Sequence, residues 1–374
     1  MTRHSADDRS NASGGGGLNS APVRIDGSHG EGGGQILRTS LALAAVRQLP
    51  VEVHSIRAGR SKSGMAPQHL ACVEAAAAIT NGELEGADLR SERIVFRPGP
   101  VVGGDYTFDI AARAPSAGAT TLLFHALLPA LARSMQHSRV TLRGGTHVAW
   151  SPPFDYLKHV FLPAVGTVGV KANLQLRKAG WYPRGGGEIR ATIEPLTRWA
   201  PLAWTDRGKL LSLRYISGYA NLPKHVGSRQ LSAGMDVLRA NGFAAESEVV
   251  SLPGPGTGTI VLIAAEFESG RAGFSALGKR GKPAEEVAKE ACADFVGFMQ
   301  TRGCVDAHLA DQLVPYLALA DGPSRVAVAA VTEHLRTNVW AVQQFSDVRI
   351  AIEGNLGEPG LLIVEPAPGH DSNQ

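Results

Sequence analysis

Long apolar runs, paired cysteines and a dominant charge sign are all missing from this sequence, and each absence removes a class of function. No stretch approaches the roughly 20 apolar residues that a membrane-spanning helix needs, and the first residues carry no apolar targeting segment. A cytoplasmic protein with no membrane partner is therefore expected. The three cysteines, Cys72, Cys292 and Cys304, lie far apart with no CxxC or CxxH spacing. That argues against a zinc site or a disulfide framework and fits a reducing compartment. Lys and Arg number 37 against 34 Asp and Glu, a net charge of only +3. Any basic surface must then be local, because the global field is weak. Aromatics make up just 6% of the chain, but apolar residues reach 44% of 374. This is enough for two or three domain-sized units with a substantial core.

Residues 1–21 are rich in Ser, Gly and Asn. Such a segment buries too little apolar surface to order itself, so 1–21 is expected to be a flexible tail and 367–374 a second one. Between them, short β-like runs alternate with apolar helices. The patterns predict helices at 35–46, 68–79, 121–132, 154–165, 308–320 and 333–345. Strands are predicted at 51–56, 94–96, 106–110, 140–142, 168–176, 188–193, 348–352 and 361–364. The alternation returns about every 100 residues without clear identity. An α/β (α+β) fold of structural repeats follows, rather than one doubly wound sheet. Residues 202–274 break the rhythm and contain Pro253-Gly254-Pro255-Gly256. They are expected to form a small inserted α/β domain, which leaves a discontinuous main domain of 22–201 and 275–366.

The densest chemical signal is the stretch from Asp26 to Arg38, with five glycines among residues 27–34. Glycines let the backbone approach a ligand and expose its N–H groups, and a helix starting near Gln35 adds positive potential. The spacing matches neither a P-loop nor a dinucleotide-binding GxGxxG. Glu31 inside this loop would repel a phosphate unless a cation lay between them, and a divalent metal arriving with a nucleotide resolves the conflict. A plain strand-to-helix turn accounts for the same residues equally well. Arg57, Arg60 and Lys62, interleaved with small residues, suit phosphate oxygens better than base edges. An isolated charge run is also commonly a solvated loop. Arg38, one turn into the first helix, can join this group. Residues 308–312 and 332–338 each open a helix. A histidine in a first turn feels positive potential that disfavours imidazolium, and neutral imidazole is the form that attacks phosphorus. By itself, however, a histidine there is more often structural. The turns at 143–147 and 278–285 read either as anion-facing or as ordinary surface loops.

Taken in order, these segments resemble the RNA 3′-terminal phosphate cyclase family. The resemblance rests on GSHGEGGGQILR (27–38), SIRAGRSKSGMAPQHL (55–70), RPG (97–99), GGDYTFDI (103–110) and RGGTH (143–147). It continues through GWYPRGGGE (180–188), ALGKRGKPAEEVA (276–288), HLADQL (308–313) and TEHLRTN (332–338), and spans the chain from about Ile25 to Val364. It implies repeated βαβαββ units related to those of enolpyruvate transferases, with a smaller inserted α/β domain. It also implies ATP as substrate, a divalent metal (Mg2+ or Mn2+) and RNA 3′-phosphate ends as partner. His334 matches the family's nucleophile, which takes AMP from ATP and passes it to the RNA 3′-phosphate. The neighbouring 2′-hydroxyl then displaces AMP to leave a 2′,3′-cyclic phosphate.

The resemblance further implies nucleotide contacts from His308, Leu309, Ala310, Asp311, Gln312, His125 and Glu31, with Glu31 also at the metal. Arg38, Arg57, Arg60 and Gln68 fall around the RNA and nucleotide phosphates. Two positions depart from the pattern: His125 stands where bacterial relatives often carry glutamine, and Ala66 where several carry a basic residue. An imidazole lacks the paired donor and acceptor of an amide. The non-catalytic cyclase-like ribosome-biogenesis proteins share the fold but lack the histidine, whereas this chain has His334 together with Glu31 and the HLADQ segment. Enolpyruvate transfer rests on fold kinship alone.

Overall fold

The computed structural model describes residues 21–31 and 33–366. Apart from Ala21, the tails expected at 1–21 and 367–374 lie outside the described residues. Period-two apolar runs set between helical stretches build one motif repeatedly. The first copy comprises β1 (Val23–Asp26), α1 (Gly34–Arg47), β2 (Val51–His54), α2 (Pro67–Thr80), β3 (Glu83–Glu85) and β4 (Ile94–Arg97). β1 and β2 run parallel, β4 pairs antiparallel with β2, and β3 forms the edge, giving the order β1-β2-β4-β3.

The second copy has β5 (Asp105–Asp109), α3 (Thr120–Arg133) and β6 (Ser138–Gly144). A composite helix follows, with α4 (Phe154–Tyr156), a π turn over Leu157–Phe161 and α5 (Leu162–Thr167). The wide turn falls just before Pro163, which has no amide hydrogen to continue an α ladder. β7 (Ala172–Lys178) and β8 (Gly187–Ile193) complete the sheet in the order β5-β6-β8-β7.

The third copy starts at β9 (Ala203–Trp204) and is interrupted at once. The interruption holds β10 (Leu210–Ala220), α6 (Lys224–Ala240), β11 (Glu246–Ser251), β12 (Gly258–Phe267), β13 (Gly270–Leu277) and α7 (Ala284–Met299). The motif then resumes with α8 (Ala307–Leu317), β14 (Ser324–Val328), α9 (Glu333–Gln343), β15 (Arg349–Glu353) and β16 (Gly360–Glu365). β9 pairs parallel with β14, and β14, β16 and β15 pair antiparallel in turn, so the topology of the first two sheets recurs. The interrupting sheet differs, with the order β11-β10-β12-β13.

The inserted layer does not follow the expected limits of 202 and 274. Residue 274 falls inside β13, and β9 belongs to the third repeat. α7 also packs on the inserted sheet. Val287, Ala288, Ala291, Cys292, Phe295 and Phe298 are buried with Tyr215, Ile263 and Phe274 in a core of their own. No turn residue marks position 274, and the alternating apolar run Ala272, Phe274, Ala276 continues through it, so the strand has no physical reason to end there.

The main core joins all three repeats. Ile36 and Leu41 of α1 are buried in one cluster with Leu127 of α3, Leu309 of α8 and Leu335 of α9. α1 is covered on several sides, by α2, α3 and α9, which is why its apolar residues do not keep to one stripe. In each repeat the segments that follow the parallel strands leave the sheet at the strands' carboxyl ends, where α/β folds characteristically bind ligands.

The fourth layer offers a stability test. Phe295 is fully buried, with its ring 4.9 Å from Phe243 and 5.8 Å from Phe274. Phe295→Ala is expected to cost about 3–5 kcal/mol in chemical denaturation. A loss below about 1 kcal/mol would mean that α7 does not hold this layer.

Candidate active site

Several helix starts face one another at this edge. Thr332 caps α9 by accepting the Leu335 N–H at 3.0 Å, which puts His334 in the helix's first turn. Asp306 caps α8, accepting the N–H groups of His308 and Leu309, both at 2.9 Å. The same carboxylate receives the Tyr156 hydroxyl at 3.0 Å and the Gly273 N–H at 2.9 Å. The start of α8 is therefore clamped to the second repeat and to the inserted sheet. No side chain caps α1, whose first turn begins at Gly34. Its uncapped N–H groups suit an anion.

Around His334 the geometry is specific. Its Nε2 lies 3.1 Å from Glu31 Oε2, and its Nδ1 lies 3.2 Å from Gln35 Oε1. Gln35 donates its amide hydrogen to Asp311 Oδ2 at 2.6 Å. That commitment turns the Gln35 carbonyl toward His334, where it accepts a hydrogen from Nδ1. Both ring nitrogens thus face acceptors, and in the neutral ring the Nε2 lone pair becomes available when the Glu31 carboxylate turns away from it. Two further bonds brace Asp311: Asn338 Nδ2 donates to its backbone oxygen at 2.6 Å, and Thr39 Oγ1 donates to Asn338 Oδ1 at 2.6 Å. Lost hydration holds the His334 imidazole below its ordinary pKa. Glu31 opposes this, while His308, Arg38 and Arg60 reinforce it. The neutral ring is thereby favoured.

The glycine loop reaches this position because it lacks side chains. Gly30 has φ +56°, and a Cβ there would collide with Thr337 Oγ1 of α9. A Cβ on Gly34 would strike His69 Nε2 and come within 2.8 Å of Arg38 Nη1. The His29 ring stacks on Trp340 with 3.8 Å between centroids and holds the loop from its other side. Arg38 is half-buried and has no hydrogen-bond or ion-pair partner among the described residues. A guanidinium without a carboxylate, beside an uncapped helix start, fits an incoming anion. Arg60 Nη2 approaches the Glu31 carbonyl at 3.4 Å, and Arg57 Nη1 donates to the Gly64 carbonyl at 2.9 Å.

A family model described as RNA 3′-terminal phosphate cyclase matches residues 29–352. The chain belongs to this family. It is 42% identical to the RNA 3′-terminal phosphate cyclase of Methanopyrus kandleri over 352 residues, covering 92% of this chain and 99% of the relative. The cyclase of Pyrococcus furiosus is 41% identical, covering 91% and 98%. That of Methylococcus capsulatus is 43% identical, covering 91% and 95%. Among solved structures, the enolpyruvyl transferase NikO of Streptomyces tendae aligns with 96% of this chain at 13% identity and a TM-score of 0.35. The chain spans about half of that structure's length, 51%.

Not every position matched to the cyclase motifs faces the site. Leu309 and Ala310 are fully buried in the core, and their N–H groups are committed to Asp306, with Ala310 N at 3.1 Å from the Asp306 carbonyl. Both fall on the inner face of α8. His308 is exposed, whereas Asp311 and Gln312 are only partly so. Gln312 Oε1 and His125 Nε2 are buried and have no hydrogen-bond partner among the described residues. Each such atom is destabilising by about 1–3 kcal/mol unless something pairs with it. The His125 ring packs on Phe161 at 4.1 Å, and burial, reinforced by Arg38, lowers its pKa to about 3. Gln68 turns toward the second repeat, where its Oε1 is 3.4 Å from the Ala119 N–H.

Among the described residues no group of three or more His, Cys, Asp or Glu could cage a metal. Glu31 is one half-exposed carboxylate, which fits an ion carried on nucleotide phosphates but not a resident protein cage. Sequence reading did not single out Gln35, Thr39, His69, Asp306 or Asn338. Their signal was present as helical spacing, since Gln35 and Thr39, like His334 and Asn338, lie four positions apart on one helix face. His69 accepts the Ala66 N–H on Nδ1 at 3.1 Å, and burial, then Arg38, takes its pKa to about 3.

Asp311 supplies a pH test. Burial, with Asp306 adding to it, raises its carboxyl pKa to about 8. A raised folded pKa means that the native state keeps a proton which the unfolded chain releases above about pH 4. The associated stability is complete below that point and is lost as pH rises toward about 8. Asp311→Asn is expected to flatten this decline in denaturation midpoints measured across the range. An unchanged slope would mean that the native carboxyl is already ionised.

Proposed function

We propose that this chain uses ATP to convert an RNA 3′-terminal phosphate into a 2′,3′-cyclic phosphate, with His334 carrying AMP between the two substrates. The observation that carries this reading is the fixing of the His334 ring. With Nδ1 hydrogen-bonded to Gln35 and Gln35 held by Asp311, Nε2 is the ring nitrogen left to act as nucleophile at a helix start once the Glu31 carboxylate turns from it. Its lone pair attacks the α-phosphorus of ATP; a P–N bond forms, the bond to the β-phosphate oxygen breaks and pyrophosphate leaves. An oxygen of the RNA 3′-phosphate then attacks the histidine-bound phosphorus and breaks the P–N bond. Finally the adjacent 2′-hydroxyl attacks the RNA phosphorus, loses its proton and expels AMP, which closes the ring.

Charge placement supports the same roles. Arg38, Arg57, Arg60 and the uncapped start of α1 offer fixed positive potential to phosphoryl oxygens. Mg2+ or Mn2+ arriving with ATP would neutralise phosphate charge, and Glu31 is the residue that would hold it. His308, Asp311, Gln312 and His125 receive the nucleoside. The unpaired Gln312 Oε1 and His125 Nε2 are the groups that a nucleoside would satisfy, and a lone imidazole at 125 reads it with one ring nitrogen instead of an amide pair. Gln68 lies toward the RNA side.

Incubation with α-labelled ATP and a divalent metal is expected to leave AMP on the protein through an acid-labile bond, and His334→Ala should abolish it. Label persisting in that variant would place the nucleophile elsewhere. Arg57→Ala and Arg60→Ala should each reduce AMP transfer to a 3′-phosphorylated RNA while changing stability by no more than about 0.5 kcal/mol. Unchanged transfer and RNA affinity in both variants would remove these arginines from the phosphate site.

A further inference from the structure

Two aromatic side chains stand almost entirely in solvent, Trp150 at 99% and Tyr182 at 80% exposure. They occupy adjoining loops of the second repeat, since His147 pairs with Trp181 in a parallel bridge between 145–153 and 179–186. Chance exposure of an aromatic is ordinary, but the support beneath this pair is not. Beneath them the His147 ring stacks on Trp181 at 4.7 Å, and its Nε2 sits 2.8 Å from the buried Asp155 carboxylate. Its Nδ1 meets Thr146 Oγ1 at 2.7 Å, and that hydroxyl accepts the Gly180 N–H at 2.9 Å. A buried polar network thus joins the two loops, with only the Trp181 indole N–H unpaired among the described residues. Trp150 itself sits at φ +65°, a conformation costly for a bulky residue and one that projects its ring outward.

These loops run continuously into the site of His334. Gly185 packs against Ser116 and Ala117, Gly118 against Gln68, and the following residue of α2, His69, abuts Gly34. Charge along this route is one-sided. The loops 55–66, 110–119, 145–153 and 179–186 contain Arg57, Arg60, Lys62, Arg113 and Arg184 and no acidic residue, and of these cations Arg113 is paired with Glu74 of α2 at 2.8 Å. In a chain with net charge of only +3, this edge is locally cationic. A cationic track with exposed rings is the arrangement that binds single-stranded nucleic acid, with phosphates on the charges and bases on the rings.

The geometry points to a stacking platform for single-stranded RNA: Trp150 and Tyr182 hold bases upstream of the terminal dinucleotide that carries the 3′-phosphate, and Arg184 meets their backbone. This inference rests on the RNA-end reading proposed above. It makes 3′-ends in single-stranded tails the preferred substrates, because bases within a duplex are unavailable for stacking on protein rings.

The test uses the full chain, a 3′-phosphorylated oligoribonucleotide several residues long, and a 3′-phosphorylated dinucleotide too short to reach the platform. Trp150→Ala and Tyr182→Ala are each expected to weaken binding of the oligoribonucleotide by about tenfold. Dinucleotide binding and enzyme–AMP formation should stay unchanged, and Trp150→Phe should keep most of the affinity. The loss should be similar at low and high salt, as stacking requires, whereas loss of a phosphate contact would alter the salt slope. Unchanged oligoribonucleotide affinity in both alanine variants would overturn the platform and leave the exposed rings to a protein partner. Loss of enzyme–AMP formation would also overturn it, by showing that the loops act on the catalytic centre. Wild-type protein that fails to form enzyme–AMP yet binds RNA through these rings would sink the cyclase reading and spare the platform.

Discussion

Gln35 stands between Asp311 and His334, and this one amide ties together helices that the chain keeps far apart. Its two partners lie 276 and 299 positions away. Contacts that remote form only once the first and third repeats have packed, so the orientation of the His334 ring reports on the whole main core. The Thr39–Asn338–Asp311 bonds behind it brace the same junction. A polar chain of this kind is specific because each group finds a partner; one missing partner would leave a desolvated donor or acceptor. Gly30 and Gly34 make the junction possible, since any side chain there would push the loop off α9 and α2.

Electrostatics follow from the same packing. Lost hydration favours the neutral form of His334, and burial takes the pKa of His69 and His125 to about 3 and that of Asp311 to about 8. The guanidinium groups of Arg38, Arg57 and Arg60 gather near the junction, with the Glu31 carboxylate at the rim and the Asp306 carboxylate buried behind the start of α8. Fixed cations of this kind suit polyphosphate chemistry, because they need no reorganisation as negative charge moves.

Repetition of one topology explains why so many functional loops share an edge. Each copy sends its connections out at the carboxyl ends of its parallel strands, so the glycine-bearing turns of the first two copies meet the short 329–332 turn of the third where the copies join. The insertion does not disturb this arrangement. It leaves the third copy after β9 and returns at α8, where Asp306 ties the helix start to Gly273 of the inserted sheet and to Tyr156 of the second copy.

Local periodicity and turn chemistry by themselves determined the helices of the three repeats, half of the strands among the described residues and the glycine loop with its nearby cations, because those features depend on neighbours a few positions away. Ordered motifs along the chain also determined the family. Folding alone decided which residues meet. It sent Leu309 and Ala310 into the core although they lie between His308 and Asp311, and it carried the inserted sheet past 274 to include α7. It recruited Gln35 and Asn338, whose roles depend on partners hundreds of positions away or on another helix. It also brought the exposed rings of Trp150 and Tyr182 onto one basic edge, since loop adjacency comes from strand pairing and glycine contacts. The physical reason is range: spacing in sequence specifies a helix face or a strand face, whereas side-chain partnership is specified only when separate faces are pressed together.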